Sequence, residues 1–202
     1  MTLDRFRHVA DRLLEPFVDA SERLGLTPDT VSVVAVALAL AAGIAFALAD
    51  ARPALYLGGA VLVFLNGWLD ILDGALARRL GTESRAGDLL DHVLDRYADI
   101  FLLVGLAAGV DRYAIGLAAV TGVLMTSYLG TQAQAVGLDR VYGGLVGRAD
   151  RLVIIGLGGA LAAFVRGSAY GLTVVGWLLV FFAVVGHLTA LQRFYHAMRA
   201  LR

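Results

Sequence analysis

The chain contains no cysteine, no lysine and only three prolines among its 202 residues. Without cysteine it can form neither a disulfide nor a thiolate nucleophile nor a zinc–thiolate site. All 17 of its permanently basic side chains are arginines, and 17 acidic residues balance them, so the net charge is zero. This balance indicates no particular class of partner, and we expect no nucleic-acid partner.

Hydrophobic sequence is abundant instead. Hydrophobic residues make up 59% of the chain and the mean hydropathy is +0.75, whereas a soluble domain is about 45–50% apolar. A helix needs about 20 residues to cross the hydrocarbon core, and amphipathic flanks can extend a shorter run. Six apolar runs lie at 31–50, 54–69, 97–110, 114–130, 152–165 and 169–191. The sequence predicts an all-α polytopic membrane bundle of six transmembrane helices.

The first thirty residues are charged and amphipathic, so we expect no cleaved signal peptide. Their apolar residues recur at helical spacing: Phe6, Val9, Leu13, Leu14, Phe17 and Val18. This spacing predicts a helix lying along the membrane surface. A short lead-in helix packed on the bundle is the alternative. We divide the chain into an N-terminal cytoplasmic amphipathic segment, 1–29, and a six-helix membrane domain, 30–202.

The distribution of arginines predicts the orientation. With the N-terminus inside, the inner segments hold Arg5, Arg7, Arg12, Arg23, Arg78, Arg79, Arg85, Arg140, Arg148, Arg151, Arg193, Arg199 and Arg202. The outer loops hold only Arg52, Arg112 and Arg166, and Arg96 falls within a span. Cytoplasmic loops carry the excess of positive charge. We therefore expect a cell-membrane protein with both termini in the cytoplasm.

Four aspartates lie where the second and third runs meet. Asp70 and Asp73 are three residues apart, and Asp91 and Asp95 are four apart, so each pair projects from one helical face. Carboxylates near the hydrocarbon region are costly and repel one another unless cations lie between them. Hard oxygen ligands suit Mg²⁺, Mn²⁺ or Ca²⁺, and magnesium commonly bridges carboxylates to phosphates. The sequence predicts a cytoplasmic metal–diphosphate site.

Small and basic residues between the two pairs support this prediction. Gly74 and Ala77 remove bulk where a polar ligand would approach the helix backbone. Arg78, one turn beyond Gly74, can offer a planar fork to phosphate oxygens. Gly87 would let the loop turn back and bring the second pair opposite the first.

The eight fixed positions of this stretch resemble the signature of the CDP-alcohol phosphotransferase family. They read Asp70-x2-Asp73-Gly74-x2-Ala77-Arg78-x8-Gly87-x3-Asp91-x3-Asp95. The resemblance implies that a CDP-linked lipid donates its phosphatidyl-type group to the hydroxyl of a polar alcohol and releases CMP. It also implies two Mg²⁺ ions, with Mn²⁺ as an alternative metal, and a homodimer.

The resemblance implies residue roles as well. The metal ligands would be Asp70, Asp73, Asp91 and Asp95. The CDP-binding residues would be Asp70, Gly74, Ala77, Arg78 and Gly87. Asp95 would also be the catalytic base that takes the proton from the acceptor hydroxyl.

The sequence features that bear on the identity of the acceptor disagree with one another. Arg148 and Arg151, three apart at the entrance to span five, could grip an acceptor phosphate or could be positive-inside anchors. With Ser127-Tyr128 they resemble the branch that uses inositol phosphate to make phosphatidylinositol phosphate or its archaeal ether-lipid counterpart. That branch carries a basic run after these two residues, whereas this chain reads "LGTQAQAVG" at 129–137. Glycerol 3-phosphate and serine stay open as acceptors.

Two other classes use acidic residues in membranes. An intramembrane prenyltransferase would have more spans and two widely separated acidic motifs. A cation carrier would need acidic residues in several spans, but no Asp or Glu follows Asp150. Small residues of span five, Gly156, Gly158, Gly159 and Ala160, would permit close helix contact in a dimer.

Overall fold

The computed structural model describes residues 7–138 and 146–202, which form seven α-helices and no β-strand. The helices are α1 (Arg7–Arg23), α2 (Pro28–Ala47), α3 (Ala54–Leu80), α4 (Arg85–Gly109), α5 (Tyr113–Ala135), α6 (Arg148–Phe164) and α7 (Val174–Ala200). Of the residues named above, Arg5, Phe6 and Arg140 lie outside the described ranges. The predicted all-α class is confirmed.

Among the described residues, four helices are long and apolar enough to cross a membrane: α2, α3, α5 and α7. The predicted third and fifth spans lie within α4 and α6, which do not meet this criterion of length and apolar composition. The first half of α4 carries a stripe of charged residues, and α6 has only 17 residues and begins with Arg148, Asp150 and Arg151. The chain is thus a membrane protein with four candidate spans by length and composition.

The order in which the helices pack determines where the site forms. Helix α2 packs against both α3 and α4, α3 also packs against α6, α4 against α5, and α5 against α7. Large apolar side chains from α2, α4 and α7, among them Phe46, Leu102 and Phe182, are fully or almost fully buried in one cluster. The C-terminal end of α3 and the N-terminal ends of α4 and α6 are thereby held around a common space.

Glycines allow the helix backbones to touch at several crossings. Gly105 of α4 meets the backbone of Gly43 in α2, and a Cβ atom added to Gly186 of α7 would stand 2.7 Å from the carbonyl carbon of Gly122 in α5. Small residues permit such close approach. In α6, Gly158 faces Leu178 and Gly159 faces Phe46, so these two positions serve contacts within the chain.

The N-terminal helix packs on α3. The contact buries an apolar cluster of Leu14, Val18, Val31, Leu72 and Leu76. At its edge Arg79 pairs with Asp19 at 3.1 Å. Leu13 and Phe17 are about half exposed, and the Phe17 ring packs edge-on against Trp68 of α3 with ring centroids 5.3 Å apart. Helix α1 thus packs on the bundle through α3, and its placement along the membrane surface stays a prediction.

The turn between α3 and α4 lies earlier than expected. Gly81 ends α3 in the left-handed region at φ 63°, which favours glycine. The Ser84 side chain then caps α4 by accepting a hydrogen bond from the Gly87 backbone N–H at 3.0 Å. The expectation that Gly87 supplies the turn is wrong, because Gly87 already lies in the first turn of α4.

Candidate active site

Three carboxylates from two helices meet at one point. Asp70 of α3 and Asp91 and Asp95 of α4 each offer an oxygen, and the three oxygens lie within 4.8 Å of one another. The spacing of four residues puts Asp91 and Asp95 on one face of α4, and the short turn places that face opposite Asp70. Half-buried, hard oxygen donors at this separation fit a divalent cation such as Mg²⁺ or Mn²⁺.

Asp73 lies beside this triad and has a partner of its own. Its side chain is almost fully buried, and its Oδ2 accepts a hydrogen bond of 2.5 Å from the Ser32 hydroxyl of α2. With Asp70, Asp91 and Asp95 it lines a cavity of about 10 Å³, room for about one water. Sequence reasoning missed Ser32, because nothing in the spacing of α2 indicates which face meets α3.

Arg148 enters the acidic cluster from the first turn of α6. Its Nη2 lies 2.6 Å from Asp95 Oδ1, and its Nη1 pairs with Asp70. Only 18% of its side chain is exposed. The reading of Arg148 as a positive-inside anchor at the membrane surface does not fit this burial.

Behind the cluster lies a second, more deeply buried ion-pair network. Arg151 of α6 binds Asp99 of α4 through two hydrogen bonds, the shorter 2.7 Å, and both side chains are nearly inaccessible. Arg96 lies 3.5 Å from the same carboxylate and donates a hydrogen bond to the Ser127 hydroxyl. A buried charge requires such partners. The sequence motifs assign no role to Arg96, although an arginine inside an apolar run is itself a signal of function or ion pairing.

A cavity of about 760 Å³ opens beside the triad. Residues of α3, α4, α5, the start of α6 and α7 line it. Its polar wall includes Asp70, Asp91, Asp95, Arg96, Arg148, Arg151, Arg193, Ser127, Tyr128 and Thr131. Arg193, which the sequence left unassigned, also donates a hydrogen bond of 2.7 Å to the Thr126 carbonyl. The volume is suited to a small polar ligand, and cations and hydroxyls face it from three sides.

The small residues of the signature lie on α3 beyond the carboxylates. A Cβ atom added to Gly74 would meet only Arg78, at 3.5 Å from Nη1, so the face above Gly74 is otherwise open. Ala77 is partly exposed and lies on the same side of the helix. Gly87 stands apart in α4, where an added Cβ would come 3.3 Å from Ser84 Oγ.

These features define a class: a helical membrane protein whose carboxylates hold a divalent metal next to a cavity for a polar, anionic ligand. The family model described as CDP-alcohol phosphatidyltransferase matches residues 25–186. The chain belongs to this family and is a transferase of phospholipid biosynthesis, as the sequence resemblance indicated. The assignment favours this reading over the prenyltransferase and the cation carrier.

The chain is similar to curated proteins over almost its whole length. It is 30% identical to the archaetidylinositol phosphate synthase of Methanothermobacter thermautotrophicus over 99% of this chain and 96% of that protein. It is 35% identical to the phosphatidylinositol phosphate synthase of Mycolicibacterium smegmatis, over 93% of this chain and 84% of that protein.

The fold also matches a solved enzyme. The phosphatidylinositol phosphate synthase of Mycobacterium tuberculosis with CDP-DAG bound superposes with a TM-score of 0.78 at 28% identity, over 92% of this chain and 94% of that one. The same enzyme in complex with manganese and citrate gives the same TM-score at 27% identity, over 92% and 88% of the two chains. A divalent metal is thus supported both by the relative and by the three carboxylates of this chain.

Proposed function

We propose that the chain transfers a phosphatidyl-type group, a diacylglycerol or archaeol phosphate, from a CDP-linked lipid to a hydroxyl of inositol phosphate and releases CMP. The observation that carries the choice of acceptor is the 760 Å³ cavity, where Arg148, Arg151 and Arg193 lie beside hydroxyl side chains next to the triad. Arginine forks suit a phosphate group and hydroxyls suit a polyol. The names of the relatives point the same way.

The carboxylates are the proposed metal ligands: Asp70, Asp73, Asp91 and Asp95, holding two Mg²⁺ ions or Mn²⁺. When bound, the ions would neutralise the donor diphosphate and the charge that develops on the leaving CMP. Asp70, Asp91 and Asp95 already converge. Asp73 faces the same small cavity, although one of its oxygens is taken by Ser32.

Asp95 is the proposed catalytic base. The acceptor hydroxyl oxygen forms a bond to the phosphorus that carries the lipid, the bond from that phosphorus to the CMP oxygen breaks, and the hydroxyl proton passes to Asp95. Asp95 suits this role because it lines both the acidic cluster and the large cavity. A base must lie within hydrogen-bond reach of the proton that it takes.

The open face of α3 is the proposed nucleotide site. Gly74 and Ala77 let CDP approach the helix, and Arg78 extends over Gly74 to meet its phosphates. Asp70 and Gly87 complete the set that the family signature implies. The lipid chains of the donor would stay in the bilayer.

The membrane arrangement is also part of the proposal. Helices α2 to α7 would form six spans, since the apolar halves of α4 and α6 pack among the four longer ones. The segment 1–29 would lie on the cytoplasmic surface of the plasma membrane, and 30–202 would form the catalytic domain with its site facing the cytoplasm. Two copies would form a homodimer.

The test is CMP release by the purified protein in lipid, with Mg²⁺ and either CDP-diacylglycerol or CDP-archaeol. The acceptor panel is inositol 1-phosphate, inositol, glycerol 3-phosphate and serine. We expect release with inositol 1-phosphate, its loss on chelation and its return with Mg²⁺ or Mn²⁺. Release with glycerol 3-phosphate or serine instead would keep the reaction and overturn the acceptor. No release with any pair, from folded protein, would overturn the proposal.

A further inference from the structure

Arg148 lies where the proposed metal would need its ligands. One guanidinium nitrogen contacts Asp95 at 2.6 Å and the other pairs with Asp70. These are two of the three carboxylates whose oxygens converge. Arg148 therefore bridges α3 and α4 with a positive charge at the centre of the acidic cluster.

We propose that Arg148 and the divalent ion exchange places. Arg148 neutralises Asp70 and Asp95 until the ion takes over these oxygens, and its guanidinium then turns into the large cavity to bind the anionic group of the acceptor. The inference rests on the proposed function, because it assumes that the triad binds a divalent metal and that the cavity receives a phosphate.

The exchange follows from competition for the same carboxylates. A divalent ion binds carboxylate oxygens at about 2.0–2.6 Å, and a guanidinium nitrogen at 2.6 Å from Asp95 Oδ1 already fills that position. Two cations held by the same two carboxylates would also repel each other at short range, and a half-buried site screens this repulsion poorly. Both cations cannot keep these contacts together.

The surroundings indicate where the guanidinium goes. Arg148 lines the large cavity, and its buried Nε has no hydrogen-bond partner among the described residues. Its contacts with the triad thus leave one donor unsatisfied, at a cost that an anion in the cavity can relieve. Arg151 differs, because its Nε and Nη2 are both bound to Asp99.

Linkage then couples metal and acceptor. An ion that releases Arg148 makes an anion in the cavity bind more tightly, and by reciprocity the anion makes the ion bind more tightly. Without Arg148 this part of the coupling disappears. A direct bridge between the ion and the anion would survive its loss, so the two origins can be separated.

The experiment is calorimetric titration of the purified protein with Mn²⁺ alone, for wild type, Arg148→Gln, Arg148→Lys and Arg79→Gln. We expect Arg148→Gln to bind Mn²⁺ about tenfold more tightly, within the range usual for coupled sites. Arg148→Lys keeps the charge but cannot bridge both carboxylates, so its affinity should lie between the two. Arg79→Gln, the control, removes an exposed arginine of α3 that pairs with Asp19 outside the cluster, and it should stay within about twofold of wild type.

Thermal unfolding provides a second readout that does not depend on turnover. Arg148→Gln should unfold at a lower temperature than wild type in the presence of a chelator, because its carboxylates are left unpaired, and Mn²⁺ should raise its Tm more than it raises that of wild type. Addition of inositol 1-phosphate should tighten Mn²⁺ binding in wild type and do so clearly less in Arg148→Gln.

Three results would overturn the exchange. One is folded Arg148→Gln that binds Mn²⁺ no better than wild type. Another is a gain in Arg148→Gln that is matched in Arg79→Gln, or a wild-type affinity in Arg148→Lys, because either result would indicate a general effect of charge. The third is equal coupling to inositol 1-phosphate with and without Arg148. Absence of Mn²⁺ binding by every protein would instead refute the metal site of the proposed function, and the exchange with it.

Discussion

At the scale of single residues, the candidate site is a set of charges that neutralise one another in a half-buried space. Asp95 borders the large cavity as well as the cluster, as Asp70 and Asp91 also do, and it is paired with Arg148. A carboxylate at this border can reach an acceptor without leaving the metal site. Its proposed role as base is therefore the most direct one to test.

Asp95→Asn should lower turnover by about 10²- to 10⁴-fold, the usual contribution of a general base. The amide keeps an oxygen that can contact a metal but cannot take a proton. Asp88→Asn is the matched control, since Asp88 lies two turns earlier on the same helix with its side chain 77% exposed. Initial rates of CMP release would measure both. Near-normal release by Asp95→Asn would contradict the assignment.

The pair Asp99–Arg151 should matter for stability more than any surface pair. Asp99→Asn would leave Arg151 buried with half of its hydrogen bonds weakened, and we expect a loss of about 3–5 kcal/mol in the free energy of unfolding. Asp19→Asn removes an exposed pair with Arg79 and should cost about 0–1 kcal/mol. Unfolding of both variants in detergent would test this, and equal losses would argue against a structural network behind the site.

At the scale of the elements, the site depends on how closely the helices approach. Helix α2 packs against both α3 and α4, so the hairpin that carries the aspartates is supported along its length. Gly186 and Gly122 hold α7 against α5 by backbone contact. These two helices carry Arg193 and Ser127 into the cavity. Crossings far from the aspartates thus help to set the shape of the cavity.

Gly186→Ala should destabilise the protein by about 1–3 kcal/mol, because the added methyl group would stand 2.7 Å from the α5 backbone. Gly58→Ala is the matched control: it is also a glycine in a helix, and nothing lies within 4 Å of its added Cβ. It should be neutral or gain up to about 1 kcal/mol from helix propensity. Thermal unfolding of the two variants would compare them. A stable Gly186→Ala would show that α5 and α7 can separate without loss.

At the scale of the whole molecule, the bilayer decides which ends share a compartment. The arginines predict that the α3–α4 turn lies inside and the α6–α7 connection outside. Because the chain has no cysteine, a single introduced thiol reports its own side without further changes. Glu83, between α3 and α4, and Ser168, between α6 and α7, are exposed in the structure.

Glu83→Cys should resist a membrane-impermeant maleimide in intact cells, whereas Ser168→Cys should react. Both should react after the cells are permeabilised, which controls for local accessibility. Labelling would be measured by the mass shift of the purified protein. The reverse pattern would contradict the cytoplasmic site. Labelling of both thiols in intact cells would contradict the prediction that the two connections lie on opposite sides of the membrane.

The helices and the acidic site were predictable because they rest on local periodicity. Apolar runs of the right length predicted the long helices, and the spacing of Asp91 and Asp95 placed both on one face before any contact was known. The partners were not predictable in the same way. Ser32 is 41 residues from Asp73, and Arg151 is 52 residues from Asp99. Pairing over such distances depends on helix rotation and packing order, which no local pattern encodes.

The sequence by itself determined the helical class, the hydrophobic character, the family signature and the four aspartates, because each depends on composition or on spacing within one element. Only the tertiary structure decided that Gly81 makes the turn, that the glycines of α6 face the chain's own helices and that Arg148 lies among the aspartates. The physical reason is that the role of a charged side chain depends on which opposite charge lies nearest to it. The carboxylates nearest to Arg148 are Asp70 and Asp95, which belong to two other helices, α3 and α4.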